Sequence, residues 1–432
     1  MSLSKEPEQR FSGARSESSD DSTVSKSELQ TDGGWLAWSQ VLVSHLLVVN
    51  GFGYQTSFGL FQSHWMDALK KSSSDISWVG SIQLFLLFFV GTISGRIMDA
   101  GYFRSLVYVG CSLQLLGIFT TSAVGKYWQL VLSQGITTGL GNGTLFTPAI
   151  ALVSTYFVKK RPLALGFAAC GAPVGGIVFP IIARQLDPQI GFRWTTRVMG
   201  FVMIFNAVII VLLARPGRSN RPRGSFVEWG AFRELPYTLF AIGIFFTLWG
   251  VYFAYFYTMT FGKSIAHISD GTSLILLVVL NAVGIPGRLI PALLANAYFG
   301  AFNTLLVFVL CVGIMLYCWI AISSFGGFVA FVVVYGFCSN AVQTLFPSTL
   351  SSLTTDLNKM GVRVGMVFSI ISIACLTGPP IAGVLIDKKH GDYLYAQIFG
   401  GTTVILGVSV LFAARLAQIR ISKQSKTEAT TG

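Results

Sequence analysis

Charge is what this sequence lacks. Asp, Glu, Lys and Arg make up 11% of its 432 residues, where a soluble domain carries about 25%. With 53% hydrophobic residues, the chain cannot cover its apolar surface in water, and lipid is the expected solvent for most of it. Zinc-ligand spacing is missing from the six cysteines, Cys111, Cys170, Cys311, Cys318, Cys338 and Cys375, each inside an apolar run. They read as small packing residues, and neither a disulfide framework nor a metal site is expected. Four scattered histidines without clustered carboxylates do not supply a membrane enzyme. No Walker A stretch is present, which argues against ATP-driven pumping, and no cofactor is expected. A net charge of +12 would have to gather on one face to bind nucleic acid. Here the basic residues are dispersed between apolar runs, which suits loops at a bilayer surface.

What is there is a series of long apolar runs. A helix crosses the hydrocarbon core in about 20 apolar residues, and that length places twelve spans near 35–61, 78–98, 105–124, 127–157, 163–186, 194–214, 237–261, 271–295, 303–323, 326–352, 363–386 and 393–416. The fold class is therefore an all-α membrane protein. The first 32 residues hold nine serines and seven acidic residues with almost nothing apolar; this reads as a disordered tail without the apolar core of a signal peptide. The polar stretch 215–236, with five arginines, splits the spans six and six. The organisation expected is a tail at 1–32, one six-helix half at 33–214, a linker at 215–236, a second half at 237–417 and a tail at 418–432. With both tails inside, the inner segments carry 17 Lys and Arg and the outer loops 7, so the positive-inside rule puts tails and linker in the cytosol.

The two halves share a pattern. "TLFTP" ends at Pro148 and "TLFP" at Pro347. Eighteen residues after each proline is a glycine, Gly166 and Gly365, and fourteen after each glycine is another proline, Pro180 and Pro379. Gly95-Arg96-Ile97 and Gly287-Arg288-Leu289 also correspond. Together these matches favour two six-helix repeats in the same orientation, a common transporter plan.

On these residues the chain resembles the major facilitator superfamily. "GRIMDAGYFR" at 95–104 is similar to that superfamily's signature between its second and third helices, with Gly95, Asp99 and Arg104 on the pattern's glycine, aspartate and terminal basic position, and Ala100 in place of an arginine. The resemblance implies a gating role for these three. The matching loop of the second half has Asn296 where Asp99 stands in the first. A narrower resemblance is to the fungal branch of the monocarboxylate porter family, through "DGGWLAW" (32–38), "SWVGSIQ" (77–83), "STYFVKKRPLALGFAACG" (154–171) and "GPPIAG" (378–383). "GAPVGG" at 171–176 resembles, one residue short, the Gly-Pro-rich motif of drug-exporting antiporters.

Arg288 interrupts an apolar stretch, "NAVGIPGRLIPALLAN". An arginine at the centre of a membrane helix costs about 2.5 to 3.5 kcal/mol on insertion scales, so it needs a partner, a wet cavity or a task. The narrower resemblance implies that it faces a central cavity and binds the substrate carboxylate, for which the planar guanidinium fork is suited; the alternative is a charge that reaches for the cytosol. The family's aspartate one turn earlier is Gly284 here, and no Asp or Glu lies mid-span anywhere. His45 is the one mid-span group whose ordinary pKa suits proton coupling, although a lone helix histidine is more often a packing residue. Asn50, Gln55, Asn142, Tyr252, Asn340 and Gln343 are polar residues at membrane depth that suit either a substrate cavity or hydrogen bonds between helices.

The reading is a monomeric plasma-membrane transporter, without enzymatic activity, that moves a small carboxylate-bearing organic anion by alternating access, secondary active or facilitative. Its alternative is export of a fungal secondary metabolite by antiport, and a more distant one is a non-transporting sensor.

Overall fold

The structure is a computed structural model that describes residues 33–157, 160–215, 227–264, 268–354 and 359–431; the expected N-terminal tail and half of the linker, 216–226, lie outside them. Eleven helices among the described residues are long and apolar enough to cross a membrane. They are α1 (Trp35–Thr56), α2 (Ser73–Asp99), α3 (Phe103–Thr121), α4 (Tyr127–Tyr156), α5 (Leu163–Leu213), α6 (Leu235–Ser264), α7 (Gly271–Phe299), α8 (Ala301–Ala321), α9 (Phe325–Ser352), α10 (Met360–Lys388) and α11 (Leu394–Gln424).

α5 accounts for both the fifth and the sixth expected spans. At 51 residues it would be about 77 Å long if straight, more than twice a hydrocarbon core of about 30 Å. It is not straight. Gly191 has φ 75° and ψ 160°, a conformation open to glycine and poor for other residues. Gly191 sits in the polar stretch Arg184–Arg193, which also holds Asp187 and Pro188. Both ends of α5 reach one face. Its start follows the end of α4, while Gln40 near the start of α1 donates to the Leu213 carbonyl (3.0 Å) and accepts from the Arg215 amide (2.9 Å). Tyr156, the last residue of α4, donates to the Arg215 carbonyl at 2.8 Å. The chain therefore runs across and doubles back at Gly191.

Lipid accounts for the outer surface. Phe205, Leu212, Leu293 and Val307 are exposed apolar side chains of a kind that a soluble monomer would not gather. Trp35, Trp128, Trp194 and Trp229 are 53% to 84% exposed, and each lies at or beside a helix start, where amphipathic rings anchor at a membrane interface.

Close packing begins with small residues. α1 passes through a π-helical turn at Val49–Gly53, which brings Gly53 against Gly175 of α5 so tightly that a Cβ on Gly53 would lie 2.5 Å from the Gly175 Cα. The "GAPVGG" glycines thus serve backbone contact between helices. Two expected boundaries differ. The first span ends near Thr56, and a separate helix, Phe58–Leu69, follows the non-helical Ser57. The last helix continues to Thr431 because 417–431 contains no glycine or proline to stop it.

One face carries the α2–α3 connection, the end of α4, the start of α5 and the described ends of the linker at Arg215 and Glu228; it is called the basic face below. At the opposite face, Asp387 at the end of α10 accepts from Ser73 Oγ and the Ser74 amide at the start of α2, both at 3.1 Å. Nearer the basic face the same two helices meet again, where Thr92 donates to the Gly365 carbonyl at 3.0 Å and accepts from Ser369 at 3.2 Å.

Candidate functional site

α7 approaches α9 through Gly287, where a Cβ would lie 2.5 Å from the Phe337 carbonyl oxygen. That approach sets the next residue, Arg288, beside α9. Arg288 is 6% exposed. Its Nε donates to Asn340 Oδ1 at 2.9 Å and its Nη2 to Gln343 Oε1 at 3.2 Å. Among the described residues no carboxylate reaches it. A desolvated cation with neutral ligands alone is costly.

The ligands are themselves held. Asn340 Nδ2 donates to the Tyr255 hydroxyl of α6 at 2.8 Å and to the Gly336 carbonyl at 2.9 Å. Gln343 Nε2 donates to the same hydroxyl at 3.3 Å. With two donors on its oxygen, Tyr255 sends its proton to Ser339 Oγ at 3.0 Å, and Ser339 donates on to the Gly336 carbonyl. The hydroxyl takes both amide N–H groups, which leaves both amide oxygens facing the guanidinium. Tyr252 and Tyr335 flank Tyr255, with ring centroids 6.2 and 6.4 Å away. Gly284 supports the cluster by giving room: a Cβ there would lie 2.5 Å from Asn340 Nδ2, so the carboxylate that the resemblance would put at this position has its space filled by an amide.

Of the residues singled out in the sequence, the structure therefore gathers Arg288, Asn340, Gln343 and Tyr252 in one place. Tyr255 was missed; its only signal is a position one turn beyond Tyr252 in an aromatic run.

The others have different surroundings. Asn50 donates to the Met203 carbonyl (3.3 Å) and accepts from Asn206 (2.7 Å), tying α1 to the returning arm of α5. Asn142 accepts from Gln114 at 2.8 Å and donates to the Gly51 carbonyl at 3.4 Å, tying α4 to α3 and α1. Gln55 donates to the Gly80 carbonyl of α2 at 3.1 Å, while its oxygen has no partner among the described residues. His45 Nδ1 meets the Phe167 carbonyl at 2.8 Å, an arrangement that suits packing of α1 on the start of α5. Gly95 permits close approach of α2 to α4, since a Cβ there would meet Thr147 at 2.8 Å. Asp99 is the half-buried last residue of α2, and Arg104 is exposed in the first turn of α3.

A second charged cluster, unseen in the sequence, lies at the start of α10. Arg363 is clamped by Glu228 (Nε to Oε2, 3.0 Å) and by Glu234, and Lys359 also pairs with Glu228 at 3.0 Å. Glu228 precedes a 3-10 turn, Trp229–Arg233, so the linker's end is fastened to α10. Hydrogen bonding from Arg363, with help from Lys359, holds the Glu228 carboxyl below its ordinary range.

Comparison with known proteins agrees with this architecture. A family model described as the Major Facilitator Superfamily matches residues 44–358. An MFS-type transporter of Gibberella zeae is 43% identical over 394 residues, which is 90% of this chain and 88% of that protein. The aspyridones efflux protein of Emericella nidulans is 31% identical over 414 residues, covering 94% and 84% of the two chains. The agnestins efflux protein of Paecilomyces divaricatus is 32% identical over 381 residues, covering 87% of each. These relatives give no support to the narrower likeness to monocarboxylate porters. The match runs from the first crossing to the end of α9 and extends over most of each relative, and on that ground the chain belongs to the major facilitator superfamily.

Proposed function

We propose that this protein is a secondary transporter that exports a small, anionic organic molecule by alternating access, with Arg288 as the clamp for the anionic group. The observation that carries the reading is a buried guanidinium whose ligands are two neutral amide oxygens, so that an arriving carboxylate exchanges weaker partners for a charge-assisted pair. Export is supported by two relatives named as efflux proteins, those for aspyridones and for agnestins. The bend in α5 at Gly191 supports a reading of twelve crossings, six before the linker and six after it, with the basic face in the cytosol of a plasma-membrane protein.

Inside-out vesicles with wild-type or Arg288→Ala protein, given a panel of labelled aromatic and aliphatic monocarboxylates, test this. The pH gradient and the membrane potential are set separately. Anion accumulation is expected in wild type and absent in the variant at equal protein level. Normal accumulation in the variant removes Arg288 as the clamp.

A further inference from the structure

Arg288 lies between two closures. Toward the opposite face, Phe58 packs on Phe256 with centroids 4.7 Å apart, Lys263 reaches Ser63 at 2.6 Å, and Asp387 caps the start of α2. Toward the basic face, Phe368 of α10 meets Phe146 of α4 at 5.5 Å, Phe88 of α2 at 5.6 Å and Phe346 of α9 at 5.8 Å. Two hydrogen bonds join α2 and α10 beside this aromatic plug. A carrier closed on both sides has to hold its central cation away from water, and an isolated buried cation opposes such closure strongly.

Here the protein supplies the ligands itself. We infer that Asn340 and Gln343 are surrogate ligands: their amide oxygens take the place of the substrate's anionic group on Arg288, so that the carrier closes and returns without cargo. Tyr255 is the positioning residue, because its hydroxyl takes both amide N–H groups and so keeps both oxygens on the guanidinium. This inference rests on Arg288 being the substrate clamp. Without the surrogates, closure would need an anion in place and the transporter would be confined to exchange. With them, net export becomes possible in a chain that has no mid-span carboxylate.

The test needs no substrate. Full-length protein in lipid nanodiscs, its six native cysteines replaced by alanine, is spin-labelled in two pairs. Ala68→Cys with Lys388→Cys reads the opposite face, and Tyr102→Cys with Tyr298→Cys reads the basic face; all four positions are exposed. Electron–electron distance distributions then report the fraction closed at both faces. Wild type is expected to populate the closed state. Asn340→Leu with Gln343→Met, close in shape but without acceptors, is expected to lower the closed-to-open ratio by at least about tenfold, the scale of losing two hydrogen bonds to a charge. Adding Arg288→Leu removes the cation and is expected to restore closure. Gln343→Met alone and Tyr255→Phe are milder variants expected to shift the ratio the same way, and they serve if the double variant does not assemble.

An unchanged ratio in the amide variants, or a triple variant that stays open, overturns the inference. The two readings separate cleanly. Normal transport by Arg288→Ala removes the clamp while leaving the distance result to stand as charge burial. Loss of transport in Arg288→Ala with unchanged distances in the amide variants keeps the clamp and removes the surrogates.

Discussion

Buried amides occur both before and after the linker, but their partners differ. Before it, amides bond to amides and backbone: Asn50 to Asn206, Gln114 to Asn142, Asn142 to Gly51. These bonds hold helix to helix. After it, Asn340 and Gln343 bond to a cation on one side and to a tyrosine on the other. The first set ties helix to helix, and the second surrounds a guanidinium. Residue type does not separate them; what faces each amide does.

Substitutions can break this comparison or sharpen it. The largest effect is expected from Arg288→Ala, which should abolish anion transport in the vesicle assay while the protein remains folded, since a buried cation is removed and not stranded. Next is Gly53→Ala. Its methyl would press on the Gly175 backbone, and a lower melting temperature in detergent is expected from overpacking of about 1–3 kcal/mol or more. Gly271→Ala, with open space around it, should melt like wild type.

Asn50→Ala strands the Asn206 amide, at a cost of about 1–3 kcal/mol. It should lower the melting temperature and leave the KM of whichever anion is transported unchanged; a raised KM would move Asn50 from the scaffold to the site. Tyr255→Phe should instead act on KM and lower it by about tenfold, the equivalent of one lost hydrogen bond, because amide oxygens no longer held by the hydroxyl compete less well with the anion for Arg288.

The smallest effect concerns pH. Glu228 is held below its ordinary range by Arg363, so its pairing contributes stability above the unfolded carboxylate pKa, about 4.3, and loses it as pH falls through the lower folded value. The melting difference between wild type and Glu228→Gln should be constant from neutral pH down to that range and shrink below it.

Sequence carried the membrane class and the long apolar helices, because these follow from counting along an apolar run. It did not carry direction around the helix axis. Asn50, Asn142, Asn340 and Gln343 look alike at that level, and only packing shows which of them face Arg288. Tyr255 was hidden for a related reason, one tyrosine among several in α6. The Arg363 clamp was hidden by distance, since its carboxylates lie about 130 residues earlier in the chain. The doubled α5 turns on one backbone conformation at Gly191, which composition reports only as a glycine in a polar stretch.

The seam between α2 and α10 has a mechanical consequence. Its two latches, at Ser74 and at Thr92, are about 27 Å apart along α2. If the helices tilt against each other by about 10° around one engaged latch, the other end moves by roughly 4.7 Å on that lever arm, enough to part its hydrogen bond while the pivot stays engaged. The seam then behaves as a toggle with two detents, and Asp387→Ala at one end or Thr92→Ala at the other would bias its resting position without touching the guanidinium at the centre.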